Sequence, residues 1–323
     1  MKIFIKITVT VILFSLLLSQ ISFNQLLTKI HEIKIELVCF CIFALFLLNI
    51  IITIRWRIIL LNLDLNRSNL ILWWLTMIGA FFNQFLPGGI GGDLFRITYL
   101  RSSGVQLQKA VFSVIIDRIV GFLCLIILIL LGAPYLILNS NNEMVLTTLL
   151  ILVILLAVAI LTFIRLDMVN KALNKFPFFI NLINSQSHLV RSLNSVVQCA
   201  KYLRILLQNW PDGFIVLFIS FVNQIIISLV MFLLLRALGG NIDFFAVVFV
   251  LPIVLLISMI PISLAGWGIR EGGMVLVFAL LGVPKEISLG ASIIFGICFF
   301  LSTLPGAFLW LIGQKKIYTK TNN

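Results

Sequence analysis

The residues best placed to do chemistry lie in one stretch, Asn83 to Arg96, which reads NQFLPGGIGGDLFR. Pro87 interrupts an apolar run, and Gly88, Gly89, Gly91 and Gly92 allow tight turns and close approach of a ligand to the backbone amides. Arg96 stands one helical turn beyond Gly92. Free amides opening a helix beside a guanidinium fork suit an anion, above all a phosphate or phosphodiester. The stretch is not a Walker A loop, because no Gly-Lys-Ser/Thr follows. It is not a dinucleotide fingerprint either, because an apolar helix precedes it where a strand should be. Glycines alone would serve equally well as a helix break or a close packing surface, so the reading leans on Asp93, Arg96 and the charges that follow.

Those charges are Asp117 and Arg118, read at the head of a long apolar span, and Arg270 with Glu271 much later in the chain. An uncompensated charge at the bilayer centre costs at least roughly 2.5–3.5 kcal/mol, so each of these side chains needs a partner. Asp93 or Asp117 is expected to pair with Arg96 or Arg118, in a pair that opens for an anionic headgroup; an interfacial Arg118 beside a helix-opening Asp117 is the alternative. Asn83 lines the same cavity or satisfies the broken backbone. His31 and His188 fall in loops on opposite sides, so they form no metal pair or dyad. Ser113 and Ser263 have no adjacent base, and Cys39, Cys41, Cys124, Cys199 and Cys298 lack metal-ligand spacing. Enzyme signals are weak throughout.

The elements that position these residues are set by the bilayer. Hydrophobic side chains make up 62% of the 323 residues and charged ones 11%, against roughly 25% charged in a soluble domain, which excludes a soluble protein. The net charge of +12 is spread between apolar runs and forms no block beside aromatic readers, so it fits anionic lipid rather than nucleic acid. Crossing segments are expected at about 5–23, 37–54, 117–138, 145–164, 214–236 and 287–313, with the first kept as an uncleaved span.

Two further apolar segments, about 70–86 and 244–261, run into proline and glycine. Arg55, Arg57 and Arg67 precede the first, and Arg96, Arg101, Lys109 and Arg118 follow it, so both flanks look cytoplasmic. A re-entrant hairpin removes the conflict, provided that protein or a wet cavity covers the broken backbone. The same parity makes 244–283 a re-entrant excursion from the other side and puts both termini in the cytoplasm. The stretch 165–212 reads as an amphipathic interfacial connector or a solvated one.

Aligning the first motif with Met259 to Arg270 superposes Pro87 on Pro261, Gly92 on Gly266 and Arg96 on Arg270 at an offset of 174. Gly104-Val105 then matches Gly282-Val283 at 178, as though four residues were inserted. Three crossings separate the motifs, so the copies face opposite ways. The expected fold is an all-α polytopic membrane protein of about six full spans plus two re-entrant hairpins in an inverted-topology repeat. It forms a single domain over 1–323, with a first repeat over 70–138 and a second over 244–313. In secondary transporters such repeats frame a site near the midplane.

On Asn83 to Arg96, Asp117-Arg118, the segment from Pro261 to Gly273 and the ending LSTLPG at 301–306, the chain resembles the lysylphosphatidylglycerol synthase transmembrane family, also called the flippase-like domain family. The resemblance covers nearly the whole chain. It implies a bacterial inner-membrane or archaeal protein that moves lipids between leaflets; in two-domain relatives a separate soluble domain makes the aminoacylated lipid. The second half departs from a symmetric site by reading Phe295-Gly296 where an arginine matching Arg118 is expected.

These readings converge on translocation of an anionic phospholipid, aminoacyl-phospholipid or lipid-linked glycan. The expected substrate-binding residues are Asn83, Pro87, Gly88, Gly89, Gly91, Gly92, Asp93, Arg96, Asp117, Arg118, Gly266, Arg270 and Glu271. No cofactor and no metal are expected. The expected partners are membrane lipids through their phosphate headgroups, with a separate soluble lipid-modifying transferase and self-association left open. An integral-membrane transferase using Asp93 or Glu271 as general base is the alternative, and an accessory subunit of such an enzyme the third reading.

Overall fold

A computed structural model describes residues 33–85, 91–139, 143–165, 188–259, 263 and 266–320. The first expected span, His31, Pro87, Gly88, Gly89 and Pro261 lie outside the described residues, as does 166–187 of the connector.

Every element among the described residues is an α-helix. In chain order they are α1 (Ile35–Leu61), α2 (Asn69–Asn83), α3 (Gly91–Ser102), α4 (Leu107–Asn139) and α5 (Glu143–Ile164). There follow α6 (His188–Gln208), α7 (Trp210–Ala237), α8 (Phe244–Ser258), α9 (Ile269–Ala279) and α10 (Lys285–Lys320). Four of them, α1, α4, α7 and α10, are long and apolar enough to cross a membrane; α2 and α8 are shorter apolar helices. Helices satisfy their own backbone amides, which hydrocarbon requires. The apolar residues Phe43, Leu131, Leu155, Phe218 and Phe308 point outward, whereas Asn49, Thr53, Arg55, Ser220 and Gln224 are buried. That inverted distribution belongs to a polytopic membrane protein.

Ser68 caps α2 by accepting a hydrogen bond from the Ile71 amide at 3.4 Å. With 15 and 12 residues, α2 and α3 reach only about 22 and 18 Å, short of the roughly 30 Å hydrocarbon core. Arg67, just before α2, donates to the Ser103 carbonyl, just after α3, at 3.1 Å. The hairpin therefore enters and leaves at one end of the bundle. Its arms touch through Gly79 and Gly92; a Cβ on Gly92 would collide with the Gly79 carbonyl.

The second hairpin repeats this scheme from the opposite end. Its arms, α8 and α9, have 15 and 11 residues. Gly240, before α8, lies against Ile287 at the start of α10, so this hairpin also enters and leaves together. Tyr135, near the far end of α4, donates to Asp243 at the mouth of the second hairpin at 3.5 Å. Between the hairpins, α1 and α7 run antiparallel: Asn62 after α1 donates to Asp212 in the first turn of α7 at 2.8 Å.

The helical frame refines the repeat read from the motifs. Helix starts Ile35 and Trp210, and Asn69 and Phe244, are 175 apart; Gly91 and Ile269, and Leu107 and Lys285, are 178 apart. Three extra residues therefore sit in the second hairpin's break, and Asp93, not Arg96, is the partner of the Arg270-Glu271 pair through Glu271. Both first-turn carboxylates occupy the third position of their helices. The closing turns correspond as well. Gly104 and Gly282 take φ of +85° and +74°, and the Val105 and Val283 amides donate back to Leu100 and Phe278 at 3.1 and 3.2 Å.

The halves are exchanged in their packing. Helix α2 lies against α10, and α8 against α4, so the first arm of each hairpin is covered by the closing helix of the other half, while the second arms α3 and α9 pack on α4 and α10 of their own half. Gly306 allows the first of these contacts, since a Cβ there would collide with the Met77 carbonyl. Outside the repeat, α6 buries Cys199, Ala200, Leu203 and Leu206 on one face and packs on α4, α5 and α7, as an amphipathic helix should.

Candidate anion site

Helix α4 starts ten residues earlier than the apolar run suggests, so Asp117 is not at its head but about 15 Å inside it. The helix continues through a buried carboxylate because two arginines meet it there. Arg55 Nε donates to Asp117 Oδ1 at 2.8 Å, and Arg96 Nη1 to Asp117 Oδ2 at 3.3 Å. Arg55 is fixed from a third helix, since its Nη1 donates to Ser220 Oγ on α7 at 3.0 Å. The Arg96 guanidinium lies 4.7 Å over the Trp56 ring, and the Trp56 indole N–H reaches Ser113 Oγ at 3.4 Å. Beside this group Arg118 Nε donates to Asp93 Oδ2 at 2.9 Å.

The two pairings differ in exposure. Side chains of Arg55, Arg96 and Asp117 are 10% exposed or less, whereas Arg118 is 34% exposed, which makes Arg118 with Asp93 the wetter edge. Three guanidinium groups face two carboxylates, leaving one positive charge over. In surroundings this apolar, that charge is a stronger attraction for an anion than the same charge in water.

The glycines do different work from the one their spacing suggests. Gly91 and Gly92 are buried, and the Gly92 amide donates to Asn83 Oδ1 at 2.7 Å. Asn83 therefore caps the helix opening across the hairpin, and Gly92 serves close packing of α2 on α3; neither the amide nor the Cα of Gly92 is open to a ligand.

The second half builds a closed counterpart. Glu271 is fully buried and accepts from the Gly268 amide at 2.6 Å, from Arg270 Nη2 at 2.6 Å and from Ser292 Oγ at 3.2 Å. Gly266 and Gly268, at φ of +80° and +84°, form the turn that delivers this amide. Arg270 lies 4.7 Å over Trp267, and its guanidinium fills the space a side chain at Gly296 would need. At the offset of 178, Gly296 corresponds to Arg118. The arginine that neutralises the first-turn carboxylate thus comes from α4 in one half and from the residue beside the carboxylate in the other.

Asn83, Gly91, Gly92, Asp93, Arg96, Asp117 and Arg118 are thus brought together, and Gly266, Arg270 and Glu271 form a separate group. Sequence reasoning missed Arg55, Trp56, Ser220 and Ser292. Arg55 was legible only as a flanking positive charge; its position six residues before the end of α1 was the available signal. No group of three or more metal-ligating side chains occurs among the described residues.

Two short-armed helical hairpins beside buried arginine–carboxylate clusters, set among long apolar helices, define an all-helical polytopic membrane protein. The family model for the lysylphosphatidylglycerol synthase TM region matches residues 3–306, and the chain belongs to that family. A UPF0104 membrane protein of Methanocaldococcus jannaschii is 22% identical over 315 residues, 94% of this chain and 93% of the relative.

Proposed function

We propose that the protein carries an anionic lipid headgroup between leaflets, as a flippase or scramblase acting on an anionic phospholipid, aminoacyl-phospholipid or lipid-linked glycan. The observation that carries this reading is the cluster of three arginines and two carboxylates beside the tip of a re-entrant hairpin. A phosphate arriving there takes Arg96 from Asp117, which keeps Arg55, while Asp93 keeps Arg118. No carboxylate is stranded by the exchange, which matters because an unpaired buried charge costs several kcal/mol. Arg96 is the moving member because it alone of the three arginines sits on the short arm α3.

Arg57, Arg67, Arg101 and Lys109 lie at or just beyond the ends of their helices, and the positive-inside rule supports a cytoplasmic, plasma-membrane location for that end. The test is reconstitution in liposomes with fluorescent phospholipids, with leaflet exchange scored by dithionite quenching. Arg96→Ala is expected to reduce exchange at least tenfold with the fold intact, because Asp117 retains Arg55. Unchanged exchange in that variant sinks the phosphate role, and new lipid species made by the purified protein would replace transport with a transferase activity.

A further inference from the structure

Polar residues recur at matched places on the two central helices. At the offset of 175 that relates α1 to α7, Asn49 corresponds to Gln224 and Thr53 to Ser228, so each helix carries an amide and, one turn on, a hydroxyl. All four are buried, at 3%, 6%, 3% and 0% exposure. The contacts Asn62–Asp212 and Arg55–Ser220 fix the antiparallel register, which puts Gln224 at a height between Asn49 and Thr53 and both ladders near the middle of their helices. Both ladders therefore lie about halfway along helices long and apolar enough to cross a membrane.

The two ladders are not in the same state. On α1 they close on their own backbone, with Thr53 Oγ1 donating to the Asn49 carbonyl at 2.6 Å and Asn49 Nδ2 to the Leu45 carbonyl at 3.3 Å. On α7, Gln224 Nε2 and Ser228 Oγ are buried without a partner, and so is the adjacent Asn223 Oδ1. Buried polar atoms of this kind are normally satisfied, and in hydrocarbon water cannot be assumed to do it. Ser220, Gln224 and Ser228 form one stripe at four-residue spacing, and Ser220 already holds Arg55 of the anion site. Gln224 is one turn, about 6 Å, farther along the same face.

We propose that Gln224 and Ser228 form a midplane subsite for neutral hydroxyl groups attached to the phosphate, a proposal that rests on the anion reading of the arginine cluster. A donor amide, a hydroxyl and a nearby acceptor carbonyl, none of them charged, match an alcohol, which both donates and accepts. They match neither a cation nor a second phosphate. A polyol headgroup held by its phosphate at Arg96, beside the Arg55–Ser220 contact, extends its hydroxyls along this stripe.

The test compares two lipids of equal charge and carbon count, phosphatidylglycerol and phosphatidylpropanol, which differ in the headgroup hydroxyls. Binding to the purified full chain in detergent is read by native mass spectrometry. Wild type is expected to hold phosphatidylglycerol about fivefold better, the worth of one net hydrogen bond. Gln224→Leu and Ser228→Ala should bring phosphatidylglycerol down to the level of phosphatidylpropanol and leave phosphatidylpropanol unchanged. Equal binding of both lipids to wild type, unchanged preference in both variants, or equal loss of both lipids in Ser228→Ala, which removes a single oxygen, overturns the subsite. Arg96→Ala serves as the separate arm: loss of both lipids supports the anion site, and retention of both overturns that reading while leaving the preference to be judged by the α7 variants.

Discussion

A carboxylate shared by two buried guanidinium groups is the least replaceable residue in the cluster. Asp117→Asn leaves Arg55 and Arg96 facing each other without a counter-charge, and removing one side of a buried ion pair costs about 3–5 kcal/mol. The expected result is a marked drop in the thermal unfolding midpoint in detergent. Asp93→Asn should cost about 1 kcal/mol or less in the same measurement, because water reaches Arg118 at the open edge. Equal midpoints for the two variants would mean that the exposure difference has no energetic weight. Asp93, Arg96, Asp117 and Arg118 could be read from sequence because a charge within apolar surroundings demands a partner. Arg55 could not, because an arginine near the end of a span also satisfies the positive-inside rule, and only the longer α1 shows that it is inside. Likewise Gly92 looked like a ligand-facing glycine, since spacing alone does not distinguish an amide left open from one capped by Asn83.

At the scale of the helix, the hairpin depends on two backbones approaching where no side chain intervenes. Gly92→Val inserts a branched side chain against the Gly79 carbonyl, and such overpacking costs roughly 1–3 kcal/mol. Gly104→Ala offers a contrast: nothing lies within 4 Å of the added carbon, so the cost of roughly 1–2 kcal/mol comes from its φ of +85° alone. Both should lower the unfolding midpoint, but only Gly92→Val should part α2 from α3 and reduce lipid exchange beyond what its stability loss explains. The existence of both hairpins was legible, because proline and glycine after an apolar run with basic flanks leave few alternatives. Their alignment was not. Matching glycines and arginines gave an offset of 174, whereas the helices keep 175 and then 178, because the break between arms tolerates three extra residues and a packed helix tolerates none.

For the whole molecule, inverted topology puts the mouths of the two hairpins on opposite faces. With the five native cysteines replaced, Ser103→Cys should react with a membrane-impermeant maleimide only in inside-out vesicles and Asn241→Cys only in intact cells; labelling of both from one side would rule out the inversion. Charge parity made this legible in the sequence, since basic residues flank the first break and are sparse around the second. The exchange of partners between halves was not legible, because it depends on Gly306 meeting Met77, a contact between residues far apart in the chain. That exchange also bears on time. The cover for α2 begins at Lys285, roughly 200 residues downstream, and at about 5–20 residues per second the ribosome needs on the order of 10–40 s to supply it. Through that interval α2 is without the cover that α10 gives it in the finished protein, so the first half is made long before its packing can be completed.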